Sequence, residues 1–160
     1  MNDFDINEAA PFDTSLPMML YRVLDAIMPA YRSLFAEYGL TEQQWRVMRT
    51  LWEVESLSSI EVARRTLLPA ASLVGVLDRL ERKGMIARLR SVEDRRVVFA
   101  KLTPEGRALG EEILPRIQPI QNELRARVTP AEWALLSELL KKFEGAPKPA
   151  ATRNEDERHA

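Results

Sequence analysis

The sequence predicts a mainly helical fold with one small β-wing, and three observations predict it. Helix-capping patterns recur along the chain, at Thr41-x-x-Gln44, Ser58-x-x-Glu61 and Thr129-x-x-Glu132. Apolar residues repeat at spacings of three and four near both ends. Only between Met85 and Leu102 does the pattern change, to two short runs with β-branched and aromatic content.

The elements follow in order. Leu20, Leu24, Ile27, Tyr31, Leu34, Phe35 and Tyr38 form one stripe, so a first helix is expected over 16–38, with Pro17 in its first turn, a bend at Pro29 and Gly39 as its left-handed stop. Thr41 and Gln44 box the start of a second helix, Leu40 stapling onto Trp45, that runs to about Glu53. Ser58 and Glu61 open a short third helix ending near Thr66; a fourth starts with Pro69 at its first position and stops at Gly84. The runs Met85–Ser91 and Arg95–Leu102 then read as a hairpin around Val92-Glu93-Asp94. Thr103-Pro104 starts a fifth helix, expected to kink at Pro115 and Pro119. Thr129 and Glu132 start a sixth, with a Val128–Trp133 staple, that ends by Gly145. A short helix, a tight turn, a longer helix and a hairpin make the layout of a winged helix-turn-helix, here over about 41–102. Residues 1–15 form an acidic arm, and residues 146–160 lack core-forming side chains and are expected to be disordered.

Composition narrows the function. At 160 residues, 46% apolar and 29% charged, the chain has the makeup of an ordinary single domain. It has no cysteine and a single histidine, His159 in the polar tail, so thiol chemistry, His-dependent triads and imidazole metal sites have nothing to work with. Neither catalysis nor a cofactor is expected. No apolar run approaches the ~20 residues that span a bilayer, and the acidic N-terminus is unlike a targeting peptide, so a cytoplasmic protein is expected. The net charge of −1 conceals an uneven distribution. From Leu57 to Arg107 there are eleven Lys/Arg against six acids, an excess of five positive charges, which leaves the rest at minus six. A basic middle in an acidic chain points to a local polyanion-binding surface.

The segments Leu40-Thr41-x-x-Gln44-Trp45-x-Val47-x-x-x-Leu51, Leu57-Ser58, Glu61-Val62-Ala63, Leu80-Glu81-Arg82-Lys83-Gly84-Met85-Ile86-x-Arg88, Asp94-Arg95-Arg96 and Leu102-Thr103-x-x-Gly106 together resemble the MarR family of transcriptional regulators. The resemblance covers about residues 16–144. Leu16–Arg22 and Gly39–Val47 look most like the branch that regulates homoprotocatechuate and other aromatic-acid degradation. It implies a homodimer, interlocked through the helices at about 16–38 and 104–144, that sets two winged helices on a palindromic operator in double-stranded DNA. The apolar stripes agree, being wider than one small winged domain can cover.

For DNA, the helix after Pro69 takes the recognition position, with Ala70, Ala71, Ser72 and Gly75 small enough for close approach. Relatives in that branch usually place a Thr-Arg pair where this chain has Val74-Gly75, so one common base-reading arginine is missing. By resemblance Arg96 enters the minor groove from the wing tip, beside Arg95, and Asp94 holds it by an ion pair. Arg64, Arg65, Arg79, Arg88 and Arg90 are expected on phosphates, with Asp78 and Glu81 blunting the field of the recognition helix. The resemblance further implies a small aromatic acid or aryl-CoA effector. Met18, Arg22, Trp45, Arg46 and Met48 are the expected cradle, an arginine for the carboxylate and polarisable walls for the ring. The alternative function is a winged-helix protein-interaction adaptor without specific DNA binding.

Overall fold

The computed structural model describes residues 11–92, 94 and 97–144. After a 3-10 turn at Phe12–Thr14 come α1 (Leu16–Glu37), α2 (Glu42–Trp52), β1 (Leu57–Ser58), α3 (Ser59–Thr66), α4 (Ala70–Arg82), β2 (Ile86–Arg90), β3 (Val98–Leu102), α5 (Pro104–Arg125) and α6 (Pro130–Glu144). Contacts divide the chain into two units, one up to Ile120 and one from Gln121, the division falling within α5.

In the first unit the caps form as their residue types dictate. The Thr41 hydroxyl accepts from the Gln44 amide at 3.2 Å, while the Thr41 amide donates to Gln44 Oε1 at 3.0 Å. Ser58 and Glu61 reciprocate in the same way at the start of α3, and Ser58's hydroxyl and amide hold the Glu61 carboxyl below its ordinary range. Gly39 and Gly84 end α1 and α4 with φ of 63° and 70°. Pro69 is the N-cap of α4 rather than its first helical residue, because the chain enters extended at ψ 139° and turns helical only at Ala70. Pro29 lies inside α1, and Pro115 and Pro119 lie inside α5, which remains one helix.

The sheet has three antiparallel strands in the order β1-β3-β2. The hairpin is the expected one, with Ile86 opposite Leu102 and Arg90 opposite Val98. The third strand is an addition: Leu57 pairs with Ala100 and Ser58 with Phe99. Two residues are too short to show a period, and Ser58 also caps α3.

One apolar core joins these elements. Val47, Met48 and Leu51 of α2 meet Val62 of α3, Leu73, Val76, Leu77 and Leu80 of α4, Ile86 and Ala100 of the sheet, and Ile113 of α5. Leu34 and Phe35 bring in α1, the Phe35 ring stacked on Trp45 at 5.4 Å between centroids. Two glycines let α5 approach. A Cβ at Gly106 would stand 2.0 Å from the Met85 carbonyl oxygen, and one at Gly110 would stand 2.3 Å from the Trp52 ring. Arg107 covers the same indole, 4.9 Å from its centroid.

In the second unit, Thr129 and Glu132 cap α6 reciprocally, and Arg125 lies over the Trp133 ring at 5.5 Å. No residue of α6 is buried, although Leu135, Leu136, Leu139, Leu140 and Phe143 are large and apolar. Residues 1–10 of the expected acidic arm, and the expected tail, lie outside the described residues.

Candidate nucleic-acid interface

The helix-turn-helix pair is α3 and α4, joined through Leu67-Leu68-Pro69. Leu68 is buried in the core; Leu67 is 84% exposed and left-handed at φ 55°. Four buried residues of α4 point one way (Leu73, Val76, Leu77, Leu80), which turns Ala70, Ala71, Ser72, Val74 and Arg79 outward. No side chain caps the first turn, so its amides face outward and suit a phosphate oxygen.

Arginines surround this helix, and the structure sorts them. Arg64 and Arg65 stand exposed in the last turn of α3, Arg79 on α4 and Arg90 at the end of β2, and none makes an ion pair among the described residues. Arg88 is different. Its guanidinium meets the Asp78 carboxylate at 2.7 Å and, through Nε, Glu81 at 2.8 Å, so it braces β2 against α4. The Arg88 hydrogen bond keeps the Glu81 carboxyl below its ordinary range. The expected phosphate contact is therefore a wing brace, because two carboxylates already neutralise it. The same contact moderates the expected blunting by Asp78 and Glu81.

At the wing tip, the Ser91 amide donates to the Val97 carbonyl at 2.9 Å, and the Val97 amide to the Asp94 carbonyl at 2.9 Å. Arg95 and Arg96 lie outside the described residues, and with them the expected Asp94–Arg96 ion pair.

The five residues expected to cradle an effector are not presented as one cradle. Trp45 (7% exposed) and Met48 (1% exposed) are core residues, because α2 turns that face toward α1, α3 and α4. Arg46 pairs with Glu42 and donates to the Thr66 carbonyl at 3.0 Å, tying off the end of α3. Arg22, beside the half-buried Met18 on α1, pairs with Asp13 at 2.6 Å on the surface. An arginine and an aromatic ring come together elsewhere. A groove of about 590 Å³ between α1 and α5 is lined by Leu34, Pro115, Pro119 and Ile120, and Arg116 at its rim reaches Glu37 (2.7 Å) and the Tyr38 ring (5.8 Å). The sequence carried no local signal for this pairing, since its partners are 78 residues apart. It also carried none for Ile60, 81% exposed on α3 beside Val74 in a largely apolar cleft.

A helix-turn-helix with an exposed, small-residue second helix and a strand-braced wing defines a winged-helix module of the duplex-binding class. The model of the MarR family matches residues 40–98. The homoprotocatechuate degradative operon repressor of Escherichia coli is 34% identical over 129 residues, 81% of this chain and 87% of that protein. Among solved structures, Bordetella bronchiseptica BpsR, described with regulation of its DNA binding by 6-hydroxynicotinic acid, aligns at TM-score 0.79 with 28% identity, covering 87% of this chain and 99% of that one. A MarR variant from Escherichia coli complexed with operator DNA aligns at TM-score 0.76 with 26% identity, covering 84% and 99%. The chain belongs to the MarR family. No helix among the described residues is long and apolar enough to cross a membrane.

Proposed function

We propose that the chain is a homodimeric repressor that holds a palindromic operator with two winged helices and releases it when a small aromatic acid, or its aryl-CoA thioester, binds. The observation that carries this reading is the outward face of α4, small and uncapped at its start, between the uncommitted Arg64, Arg65, Arg79 and Arg90. The E. coli relative's operon and BpsR's effector both concern aromatic acids, which supports the effector class. Dimerisation is supported on each unit separately. Met19, Leu20, Val23 and Leu24 of α1 are exposed, as are the leucines of α6, and large exposed apolar patches mark protein contacts. The domain limits proposed are the DNA-binding core at about 41–102 and the pairing helices at about 16–38 and 104–144, with Ala71, Ser72 and Gly75 in the major groove and Arg95 and Arg96 on the wing.

Of the two arginines first assigned to the effector, Arg22 keeps the stronger claim. Its pairing with Asp13 is exposed and worth at most about 1 kcal/mol, so an effector carboxylate can displace it. The test is a gel shift on DNA upstream of the gene, wild type against Arg96→Ala and Arg22→Ala, over a salt series. The expected result is a steep salt slope, a large loss for Arg96→Ala, and intact binding but no release by aromatic acids for Arg22→Ala. Salt-insensitive binding that ignores Arg96 would leave an interaction adaptor instead.

A further inference from the structure

With α4 in the major groove, its outward side chains must tell one sequence from another. Sequence is read there by hydrogen-bonding side chains or by apolar contact with the thymine methyl. Along the outward face of α4 the hydrogen-bonding repertoire is short. Asp78 is engaged by Arg88 at 2.7 Å. Arg79 is folded back along its own helix, with both terminal nitrogens 3.6 Å from the place a Gly75 Cβ would occupy. Ser72 is the one exposed hydroxyl. What remains is methyl surface: Ala70, Ala71 and Val74, the last 57% exposed, continued on α3 by Ile60. Ala63, Ala70, Leu73, Leu77 and Val98 continue the cleft that Ile60 and Val74 share, with Ser59 and Arg88 as its polar members, so the apolar surface runs across the two helices to the wing.

We infer that Val74, with Ala71 beside it, is the specificity-determining contact of this chain, reading thymine 5-methyl groups in the major groove. The inference rests on the proposed DNA-binding function. Two features commit the surface to duplex DNA rather than to an apolar protein partner. The uncommitted arginines of α3 and β2, Arg64, Arg65 and Arg90, flank it with positive charge. The uncapped amides of α4 open beside it. Val74 is also well suited to the task, since a β-branched residue in a helix has essentially one side-chain rotamer and loses little freedom on contact.

The experiment selects binding sites for the full-length protein from a random duplex pool, then remakes the preferred site with deoxyuridine in place of thymidine. Removing only the 5-methyl of a contacted base removes about one buried methyl, which is about fourfold in affinity. The expected result is an A·T-rich preferred half-site, about fourfold weaker binding for each contacted methyl removed, and a smaller loss on the same exchange in Val74→Ala. Val74 is exposed, so the alanine variant folds, which circular dichroism checks. Equal affinity for thymidine and deoxyuridine duplexes, or a preferred half-site whose central positions are G·C, overturns the inference while leaving the DNA-binding function standing. A pool that yields no preferred sequence overturns both, and assigns the apolar face to a protein partner.

Discussion

The close approach of α5 to the start of the wing can be tested by adding one methyl group. In Gly106→Ala the new Cβ would stand 2.0 Å from the Met85 carbonyl oxygen, 2.9 Å from its carbonyl carbon and 3.1 Å from Leu102 Cδ2. Real Cβ atoms do not approach within 3.0 Å, so the two backbones must part by about 1 Å. No side chain can rotate to relieve this, because the nearest atoms are main chain. Parting also stretches the bond from the Thr103 amide to that carbonyl, 3.1 Å long. Overpacking costs about 1–3 kcal/mol and a weakened backbone hydrogen bond about 1 kcal/mol. Against these, alanine gains about 0.5–1 kcal/mol over glycine in a helix. The expected net loss is about 2 kcal/mol, lowering Tm by about 4–8 °C for a chain of this size. Gly75→Ala is the matched control. Its Cβ would meet only the Arg79 guanidinium at 3.6 Å, an ordinary contact, so it should gain about 0.5–1 kcal/mol. Urea and thermal unfolding, followed by far-UV circular dichroism at one fixed protomer concentration, measure both. A Gly106→Ala protein as stable as the wild type, or less affected than Gly75→Ala, would refute the packing argument.

Three further outcomes are expected. Glu81 has a folded-state pKa below its unfolded value near 4.5, so its contribution is complete above that value and lost as the pH falls through the lower folded one. Glu81→Gln should therefore be less stable than wild type by about 0.5–1 kcal/mol at neutral pH, a figure kept small because both partners are partly exposed, with the two urea midpoints converging below pH 4; a gap that persists in acid contradicts the brace. Thr41→Ala removes one half of a reciprocal cap and should cost about 1 kcal/mol in the same unfolding experiment. In DNA binding, Arg64→Ala should flatten the slope of log affinity against log salt by about one, whereas Arg88→Ala should weaken binding with little change in slope.

How much of this was legible in the sequence depends on how local each signal is. Caps, stops and stripes are set by residues three or four apart, and the six helices and the hairpin appear where those patterns place them. The short β1 strand was not legible, because Leu57 and Ser58 find their partners only when β3 arrives some forty residues later. The same limit governs the site. A small, outward-facing α4 could be read from Ala70, Ala71, Ser72 and Gly75. Trp45 and Met48 could not be told from cradle walls, since a helix stripe of large residues has the same spacing whether it faces a ligand or a core. The exposure of Ile60 was invisible for the converse reason: an apolar residue in the first turn of a helix has the same local pattern whether it points inward or out.

Counted as charges, the arginines between Leu57 and Arg107 are equivalent, and the excess of five reads as one diffuse basic patch. In the structure they divide by geometry. Arg88 is held by Asp78 and Glu81 and fastens β2 to α4, while Arg107 lies on the Trp52 indole and fastens α5 to α2. Arg64, Arg65 and Arg90 have no such engagement and border the face of α4. A charge already neutralised by two carboxylates adds little to the field a phosphate feels, whereas an exposed uncommitted one releases a counterion when it meets DNA. Affinity should then follow the second group and the integrity of the wing the first. Because losing a phosphate contact flattens the salt slope and losing a salt bridge inside the fold leaves it nearly unchanged, comparing Arg64→Ala with Arg88→Ala separates the two roles without any structure of the complex.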